Sequence, residues 1–458
     1  MTFPAYPTRR DSGVDWVGTV PAHWSVCALN YRYEVALGKM LDEKRITGDF
    51  LAPYIRNVHV QWGRIDTDDL PTMDFSGNDL VRFALKPGDL LVCEGGEVGR
   101  AAVWEGAVDP CFYQKALHRL RPRKPEHDLA KFVFYVLRAA ADLGIFEGSE
   151  GRATIAHLTG EALQRYQFPF PPIAEQSTIA TFLDRETGKI DALVAEQERL
   201  IALLKEKRQA VISQAVTKGL DASAPMKDSG VAWLGQVPAH WEVTRLGRVT
   251  ATKCDGPFGS GLKSEHYTEC GVRVIRLQNI RMGHFDDTDA AFIDEEYFRV
   301  SLPGHDVQEG DLLIAGLGDD RNIVGRCCVA PAGVEPAMVK ADCFRFRLFT
   351  QHALPAFMAM QLTAGSQFDA GMMSSGSTRS RIPLSVMATR SVALPPLAEQ
   401  QELVEEIEAR SRDFDTLTNE AHHAIALLRE RRAALISAAV TGKIDVRGLE
   451  LSAEVAAA

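Results

Sequence analysis

Two segments of the sequence carry residues that could belong to an enzyme site, and both patterns are incomplete. Residues 255–264 read DGPFGSGLKS and contain the glycines and lysine of a phosphate-binding loop, but Leu262 separates the last glycine from Lys263 and no convincing strand precedes them. Residues 87–96 read PGDLLVCEGG, which approaches the acidic pair of a metal-dependent nuclease, yet glycines stand where a lysine should follow Glu94. The sequence motifs of an amino-methyltransferase do not occur. We therefore expect no catalytic residue, metal site or cofactor in this chain.

The polar side chains that remain are suited to reading DNA bases, and they follow strand-like segments. In the major groove arginine pairs with guanine, and asparagine or glutamine pairs with adenine. The candidates are Arg56, Asn57, His59, Gln61 and Arg64 in the first half of the chain, and Arg276, Gln278, Asn279 and Arg281 in the second half. The first arginine of each set, Arg56 or Arg276, is shared by the two halves, and the residues after it differ. This is expected of two related domains that read different bases. The alternative is that these are ordinary exposed polar residues of strands.

Three loops carry further candidates for contacts with DNA. Residues 151–154 and 376–381 are small, polar and basic, which suits phosphate contacts that position DNA without reading it. Residues 319–322, DDRN, are an insertion relative to the first half and a candidate reading loop. The candidate side chains are Arg152, Thr154, Arg321, Asn322, Ser377, Thr378, Arg379 and Arg381. The alternative for each is a plain surface loop.

The elements that would position these residues occur twice. Residues 11–26 read DSGVDWVGTVPAHWSV, and residues 228–243 read DSGVAWLGQVPAHWEV. Residues 171–176, PPIAEQ, return as PPLAEQ at residues 395–400, and each opens a long segment of mixed polar and apolar residues. Between these motifs the halves share only short echoes, such as Gly-Asp-Leu-Leu and Val-Gly-Arg. This duplication indicates that the repeated motifs and long segments have the same mechanical role in both halves. It also indicates that the regions between them have come to recognise different targets.

Each long segment is predicted to be one helix that pairs with the other. Pro171 and Pro172 suit the residues before a helix, Gly219 suits its end, and roughly 45 residues would span about 65–70 Å. A heptad seam is predicted at Ile190, Leu193, Gln197, Leu200, Leu204, Lys207 and Val211, and at Phe414, Leu417, Ala421, Ala424, Leu428, Arg431 and Leu435. We expect an antiparallel pair within one chain, because the second globule lies between the helices. The alternative is two dimerisation helices in a homodimer.

The repeats predict an α+β protein with two tandem globular domains, each followed by a long helix. The predicted segments are an N-terminal segment 1–25, a domain 26–172, a helix 173–220, a linker 221–243, a domain 244–396, a helix 397–445 and a tail 446–458. Hydrophobic residues make up 46% and charged residues 24%, as in a globular protein, and no apolar run predicts a membrane span. Eight scattered cysteines without a Cys-x-x-Cys pair favour a reducing cytoplasm. The net charge of −10 suggests that DNA binding would need basic surface from a partner.

The paired motifs resemble those of the specificity subunits of type I restriction-modification enzymes, over nearly the whole chain. The motifs are W-x-G-x-V-P-x-H-W at 16–24 and 233–241, and P-P-[I/L]-A-E-Q before each helix. The resemblance implies two target recognition domains, each for one half of a split, asymmetric site in double-stranded DNA. It implies an antiparallel coiled coil that sets the gap and contacts two methyltransferase subunits. It also places S-adenosylmethionine on those subunits, and ATP, Mg²⁺ and DNA cleavage with separate restriction subunits.

Two other classes of protein are alternatives to this interpretation. A stand-alone nuclease or methyltransferase would carry its own catalytic site, and the incomplete motifs argue against it. A structural coiled-coil adaptor would have the long helices but no role in DNA binding. Binding of DNA together with a methyltransferase partner would separate the adaptor from the DNA-reading subunit.

Overall fold

The computed structural model describes residues 3–41, 47–146, 157–319, 321–373 and 380–448. The candidates Arg152, Thr154, Ser377, Thr378 and Arg379 lie outside these residues. The chain divides into unit 1, residues 1–197 with 422–458, and unit 2, residues 198–421. The α-helices are Asp79–Arg82, Ala130–Asp142, Gly160–Arg165, Ile173–Lys218, Glu295–Ser301, Pro355–Met373, Leu384–Thr389 and Leu397–Val440. Each unit combines these helices with sheets, so the predicted α+β class with two long helices is confirmed.

Unit 1 is built on a four-stranded antiparallel sheet in which the inner strand Leu90–Cys93 is buried on both faces. In spatial order the strands are Ala101–Val103, Leu90–Cys93, Leu117–Pro122 and Tyr33–Leu37. Successive side chains of a strand point to opposite faces. Leu90 and Val92 pack with the helix Ala130–Asp142, whereas Leu91 and Cys93 pack in a second core. The other pairings are Leu51–Ile55 with Phe112–Tyr113 and Thr72–Asp74, Arg9–Asp11 with Thr19–Pro21, Ser25–Ala28 with Gln167–Phe170, and Val60–Gln61 with Arg64–Ile65.

Unit 2 repeats this sheet in the same strand arrangement. In spatial order the strands are Cys327–Val329, Leu312–Ala315, Cys343–Leu348 and Thr250–Cys254. Leu312 and Ile314 pack with the helix Pro355–Met373, and Leu313 and Ala315 face a second core. A five-stranded sheet contains Tyr267–Thr268, Phe292–Ile293, Val272–Ile275, Ala337–Val339 and Asp306–Val307 in that order. The two-stranded pairings are Met226–Asp228 with Gln236–Pro238, Glu242–Arg245 with Ser391–Leu394, and Leu317–Gly318 with Ser380–Arg381.

The Gly-Asp turns before the strands Leu90–Cys93 and Leu312–Ala315 are each held by an ion pair whose carboxylate is buried. Asp89 accepts a hydrogen bond from the Lys86 backbone N–H at 2.7 Å, and Arg121 donates two bonds of 2.6 Å to its carboxylate. In unit 2 Arg347 donates two bonds of 2.8 Å to Asp311 in the same way. Asp89, the first acid of the incomplete nuclease-like pattern, therefore holds a turn in place.

The two strongly repeated motifs form one hydrogen-bonded node in each unit. In unit 1, Glu175 accepts bonds from Trp24 Nε1 at 2.9 Å and Tyr6 Oη at 3.2 Å, and its other oxygen lies 2.6 Å from His23 Nε2. Burial, and then the Glu175 carboxylate, raise the pKa of Tyr6, so its hydroxyl stays protonated and donates. His23 and Trp24 of the first motif are therefore bonded to Glu175 of the second motif.

The glutamine of each Ala-Glu-Gln sequence ties the start of a long helix to its domain. Gln176 accepts from the Leu129 backbone N–H at 2.8 Å and donates to the carbonyl oxygens of His127 and Pro171. Gln400 makes the same set of contacts in unit 2, to Leu354, His352 and Pro395. Both glutamines are fully buried, so each helix leaves its domain in a fixed direction.

The two long helices run antiparallel within each unit. In unit 1, Asp191 pairs with Arg432, and the earlier residue Glu175 lies 3.5 Å from the later residue Arg447. In unit 2, Arg208 pairs with Asp415 at 2.6 Å, and the later residues Lys218 and Gly219 share a cavity wall with the earlier residues Glu399 and Glu402. The predicted antiparallel direction is confirmed.

The heptad seam is only partly what the spacing predicts. Ile190 and Leu204 are buried, but Leu193 and Leu200 keep 46% and 42% of their surface exposed. Burial is concentrated instead where the helices pack on the globular cores, for example at Leu183 in unit 1. Sequence spacing gives the face of a helix but not which turns of that face a domain covers.

Candidate nucleic-acid interface

The shared arginine of each half begins a short turn that is closed by the residue three positions later. The Arg56 backbone N–H donates to His59 Nδ1 at 3.1 Å, and the Arg276 backbone N–H donates to Asn279 Oδ1 at 2.9 Å. His59 and Asn279 are buried, with 9% and 1% exposure. Burial, and then the Arg56 charge, lower the pKa of His59, so the ring is neutral and can accept at neutral pH. The structure thus places both side chains inside the domain as acceptors that hold the turn.

A second arginine fixes the same turn from the neighbouring loop. Arg100 Nη2 donates to the Asn57 backbone oxygen at 3.1 Å and to Asn57 Oδ1 at 2.9 Å. Arg326 Nη2 donates to the Leu277 backbone oxygen at 2.8 Å. The carboxamide of Asn57 also donates to the Gly95 oxygen, so both of its ends are engaged within the protein. The repeated Val-Gly-Arg sequence was the signal for these two arginines, which were not among the candidates.

Two of the unit 1 candidates, Gln61 and Arg64, lie on one hairpin, and Arg56 lies at the turn before it. Arg56 and Arg64 are exposed, and Gln61 pairs with Arg64 across the two short strands. Gln61 Nε2 donates to the Val58 oxygen at 2.9 Å. The turn and the hairpin together therefore present two exposed arginines and one glutamine at the surface.

A tryptophan that the candidate set did not include lies on the same hairpin. The ring of Trp62 is covered by the Arg138 guanidinium, 4.5 Å from its centroid, and its indole N–H donates to Glu97. Glu97 belongs to the loop that carries Gly95, and it also pairs with Arg100. A ring, a cation and an acid therefore meet beside the turn. No sequence signal placed Arg138 there, because it comes from a helix distant in the sequence.

The unit 2 candidates Arg276 and Arg281 are each paired with an aspartate from residues 286–289. Arg276 Nη2 lies 2.5 Å from Asp289 Oδ1, and Gln278 donates to the other oxygen of Asp289. Arg281 Nε lies 3.1 Å from Asp286 Oδ2. Hydrogen bonds from Gln278 lower the pKa of Asp289, and bonds from Thr288 and then Arg281 lower the pKa of Asp286 to about 2. Both acids are therefore ionised at neutral pH, where they can pair with the arginines.

A cavity of about 240 Å³ brings together three candidates from distant parts of unit 2. It is lined by Leu277, Gln278, Arg281, Leu317, Gly318, Asp319, Asn322 and Arg326. Asn322 Oδ1 accepts from Arg281 Nη1 at 3.2 Å, which joins the inserted loop to the turn. Asp319 Oδ1 caps that loop by accepting from the backbone N–H groups of Arg321 and Asn322. Arg321 is exposed in the same loop.

The last described candidate, Arg381, lies next to the inserted loop. The strand Ser380–Arg381 pairs with Leu317–Gly318, which leads into the loop. Arg381 Nε donates to Asp342 at 2.8 Å, and its guanidinium lies 5.3 Å from the ring centroid of the exposed Phe258. Unit 1 has a corresponding junction, where the Leu158 N–H donates to the Glu94 oxygen.

The segment 255–264 does not form a phosphate-binding loop. A strand, Thr250–Cys254, does precede it, which the sequence did not predict. The segment itself contains a 3₁₀ turn, Gly259–Gly261, and a second one, Ser264–His266, follows, so the α-helix N-terminus that would present amides to phosphate is not formed. Over the described residues no group of three or more His, Cys, Asp or Glu is placed to hold a metal ion. In the same part of the chain, no helix is both long and apolar enough to span a membrane.

Comparison with known proteins finds similar chains among type I specificity subunits. Residues 38–201 match the family model described as type I restriction modification DNA specificity domain. The EcoKI specificity subunit of Escherichia coli strain K12 is 25% identical over 449 residues, which cover 94% of this chain and 91% of that protein. The chain is therefore similar to type I specificity subunits over nearly its whole length. The resemblance carried by the paired motifs is thereby confirmed.

Solved structures related to the specificity-subunit family match the fold over almost the whole chain. A chain from a study of complex assembly and conformational transition of the type I R-M system has a TM-score of 0.65 at 16% identity. The match covers 92% of this chain and 98% of that one. The HsdS subunit from Thermoanaerobacter tengcongensis has a TM-score of 0.54 at 16% identity, with 93% and 98% covered. These matches confirm the fold.

Proposed function

We propose that this chain is the non-catalytic specificity subunit of a type I restriction-modification enzyme and reads a bipartite, asymmetric DNA site. The domain of residues 26–172 reads one half of the site, and the domain of residues 244–396 reads the other. The observation that carries the proposal is a contrast within the duplication. The buried groups that hold the arginine turn are equivalent in the two units, whereas the side chains presented at the surface differ.

The surface difference is large enough to select different bases. Gln61 in unit 1 and Arg281 in unit 2 follow the turn at equivalent positions, and glutamine and arginine favour adenine and guanine respectively. The loop beside the turn is short in unit 1 and carries the insertion 319–322 in unit 2. Arg56, Arg64, Arg276, Gln278, Arg321 and Arg381 are further proposed contacts, and Arg152, Thr154, Ser377, Thr378 and Arg379 are proposed contacts to phosphate. Asn57, His59 and Asn279 support the turns from which these side chains project.

The long helices are proposed to set the unread gap between the half-sites and to bind two methyltransferase subunits. Domain separation must match the helical phase of DNA, so a rigid spacer fixes the gap. Exposed leucines on both helices favour the second role. Leu203, Leu417 and Leu427 keep 52%, 46% and 51% of their surface exposed. Apolar side chains of this size on a helix surface are suited to covering by a partner.

The partners would supply the catalytic groups and the positive charge that this chain lacks. Arg273, Arg276 and Arg281 are each paired with an aspartate, so a phosphate would have to compete with those carboxylates. The net charge of −10 adds to this repulsion. Methyltransferase subunits would bring S-adenosylmethionine, and restriction subunits would bring ATP and Mg²⁺. The eight cysteines are all free thiols, which fits action on DNA in the reducing cytoplasm.

A reconstitution with labelled S-adenosylmethionine tests the proposal. The chain alone, a methyltransferase subunit alone, and the two together are each incubated with the same DNA. We expect methyl transfer only in the mixture, at adenines within a defined sequence. Transfer by the chain alone would make it an enzyme, and transfer by the methyltransferase alone at the same sequence would make it an adaptor without a reading role.

A further inference from the structure

We infer that Arg281 reads the guanine of one G·C pair in the half-site of unit 2, and that Asp319 accepts from the cytosine of that pair. Asp286 and Asn322 are the positioning residues that aim the guanidinium. The inference rests on the proposed function and names the residues and the base pair through which unit 2 carries it out. It begins from the cavity that Arg281, Asp319 and Asn322 line.

Among the unit 2 candidates that follow the shared arginine, Arg281 is the best placed to donate to a base. Arg276 and Gln278 both direct a donor to Asp289, and Asn279 is buried. Arg281 lines the cavity, with 39% of its side chain exposed. A ligand that entered the cavity would therefore meet this guanidinium.

The guanidinium is held so that one edge is available. Arg281 Nε is bonded to Asp286, and Nη1 is bonded to Asn322 Oδ1. Within the described ranges no acceptor is bonded to Nη2. Nη1 and Nη2 therefore still have N–H groups that can donate to the edge of a base. The fork geometry of arginine matches guanine O6 and N7. Since the side chain is already fixed in the free protein, little ordering is needed on binding.

Another residue that lines the cavity offers an acceptor. Asp319 Oδ1 takes the hydrogen bonds from Arg321 and Asn322, whereas no donor among the described residues is bonded to Oδ2. Bonds from Asn322 keep this carboxyl ionised by lowering its pKa. A carboxylate accepts from the exocyclic amino group of cytosine. An arginine and an aspartate in one cavity therefore complement both members of a G·C pair.

The same carboxylates argue against a phosphate as the ligand of Arg281. Asp286 is bonded to the guanidinium and Asp319 lines the same cavity, so a phosphate group would approach two ionised acids. A base edge is neutral and suffers no such repulsion. Unit 1 has Gln61 at the equivalent position and lacks the inserted loop, so the G·C reader belongs to one half-site only.

The test is methylation-site sequencing of DNA from cells that express the full chain with its methyltransferase subunit. Arg281→Gln removes the fork, and Arg281→Lys keeps the charge without the fork. Asn322→Ala removes the positioning contact, and Asn322→Asp restores an acceptor for Arg281. Arg299→Gln is the matched control, because Arg299 lies on an exposed helix of the same unit and pairs with the exposed Glu296 of that helix.

We expect both Arg281 variants to lose the preference for G·C at one position, from at least about tenfold to less than about threefold, while every other position is unchanged. Asn322→Ala should weaken the same preference and Asn322→Asp should restore it. A wild-type motif that both Arg281 variants leave unchanged would overturn the inference. So would a uniform loss at all sequences, or normal reading with lysine, since those indicate a structural or phosphate contact. Absence of any bipartite motif for the wild-type chain would overturn the proposed function instead.

Discussion

The indole of Trp24 donates a 2.9 Å hydrogen bond to the carboxylate of Glu175, 151 residues further along the chain. In unit 2, Trp241 donates to Glu399 at 3.0 Å. The bond joins the start of a domain to the first turn of the long helix that leaves it. Two short motifs that are far apart in the sequence are therefore one structural device, and it is present in both units.

Removal of the Glu175 carboxylate should destabilise unit 1. Glu175→Ala leaves the Trp24 indole and the Tyr6 hydroxyl without their acceptor in a buried site, and unsatisfied buried donors cost about 1–3 kcal/mol. We expect a lower midpoint of urea unfolding, followed by tryptophan fluorescence. Glu196→Ala is the control, because Glu196 is exposed on the same helix of the same unit. Equal midpoints for the two variants would contradict the role given to the node.

The buried turn anchor should be more sensitive than its exposed neighbour. Asp311→Asn removes a carboxylate that is 2% exposed and bonded twice by Arg347, so we expect a loss of about 2–4 kcal/mol in the free energy of unfolding. Asp306→Asn removes a partly exposed partner of the same arginine and should cost less than about 1 kcal/mol. Denaturant titration of both variants measures the difference. A larger effect for Asp306→Asn would contradict the account of the turn.

Asp255 should make unit 2 more stable in mild acid than at neutral pH. Burial raises the pKa of this carboxyl from 3.8 to about 6, although its oxygen accepts from the Gly256 and Asp342 N–H groups. A raised pKa means that the folded state holds the proton more tightly, so the contribution is complete below pH 3.8 and lost as pH rises to about 6.

The variant Asp255→Asn keeps an acceptor oxygen and removes the ionisation. We expect it to match the wild-type protein near pH 4 and to be about 1 kcal/mol more stable above pH 6.5, after allowance for solvent at this half-buried site. Thermal unfolding between pH 4 and pH 7.5 gives the comparison, with the exposed Asp413→Asn as the control. A pH-independent difference would show that ionisation of Asp255 is not its cause.

Longer helices should widen the unread gap between the half-sites. An insertion of seven residues keeps the helical face and lengthens a helix by about 10 Å. The insertion is made between Gln197 and Glu198 and, in the same variant, between Ala421 and His422. At about 3.4 Å per base pair, the gap should grow by about three base pairs while both half-sites keep their sequences.

Selection of DNA with variable spacers measures the preferred gap, and the same insertion in the exposed turn at Ala332 is the control. An unchanged gap in the helix variant would mean that the helices do not set it.

The repeats were enough to predict the fold class and the antiparallel long helices. Motifs that recur in the same order predict that the same helices and strands occur twice. Two long helices with a globular domain between them in the sequence can pair antiparallel, because the domain carries the chain back. The limits of each domain stay a prediction. The seam was predicted less well because Leu193 and Leu200 have the right spacing but no globular core lies over them.

The candidate site was harder to predict, because a polar residue after a strand can point outward or inward. His59 and Asn279 differ in type, which suggested different bases, yet each accepts from the backbone N–H three residues before it. Their shared place between the arginine and a following glycine was the available signal of a common structural need. The pairing of Arg281 with Asn322 depends on the packing of two loops and has no local signature.

The most direct measurement of the central claim is sequencing of methylated adenines in DNA from cells that express this chain with a methyltransferase subunit, compared with cells that express the subunit alone. We expect two short, different sequence blocks separated by a fixed number of unread base pairs, and only when the chain is present. A single continuous motif, two identical blocks, or the same methylation without the chain would contradict a specificity subunit that reads DNA with two different domains.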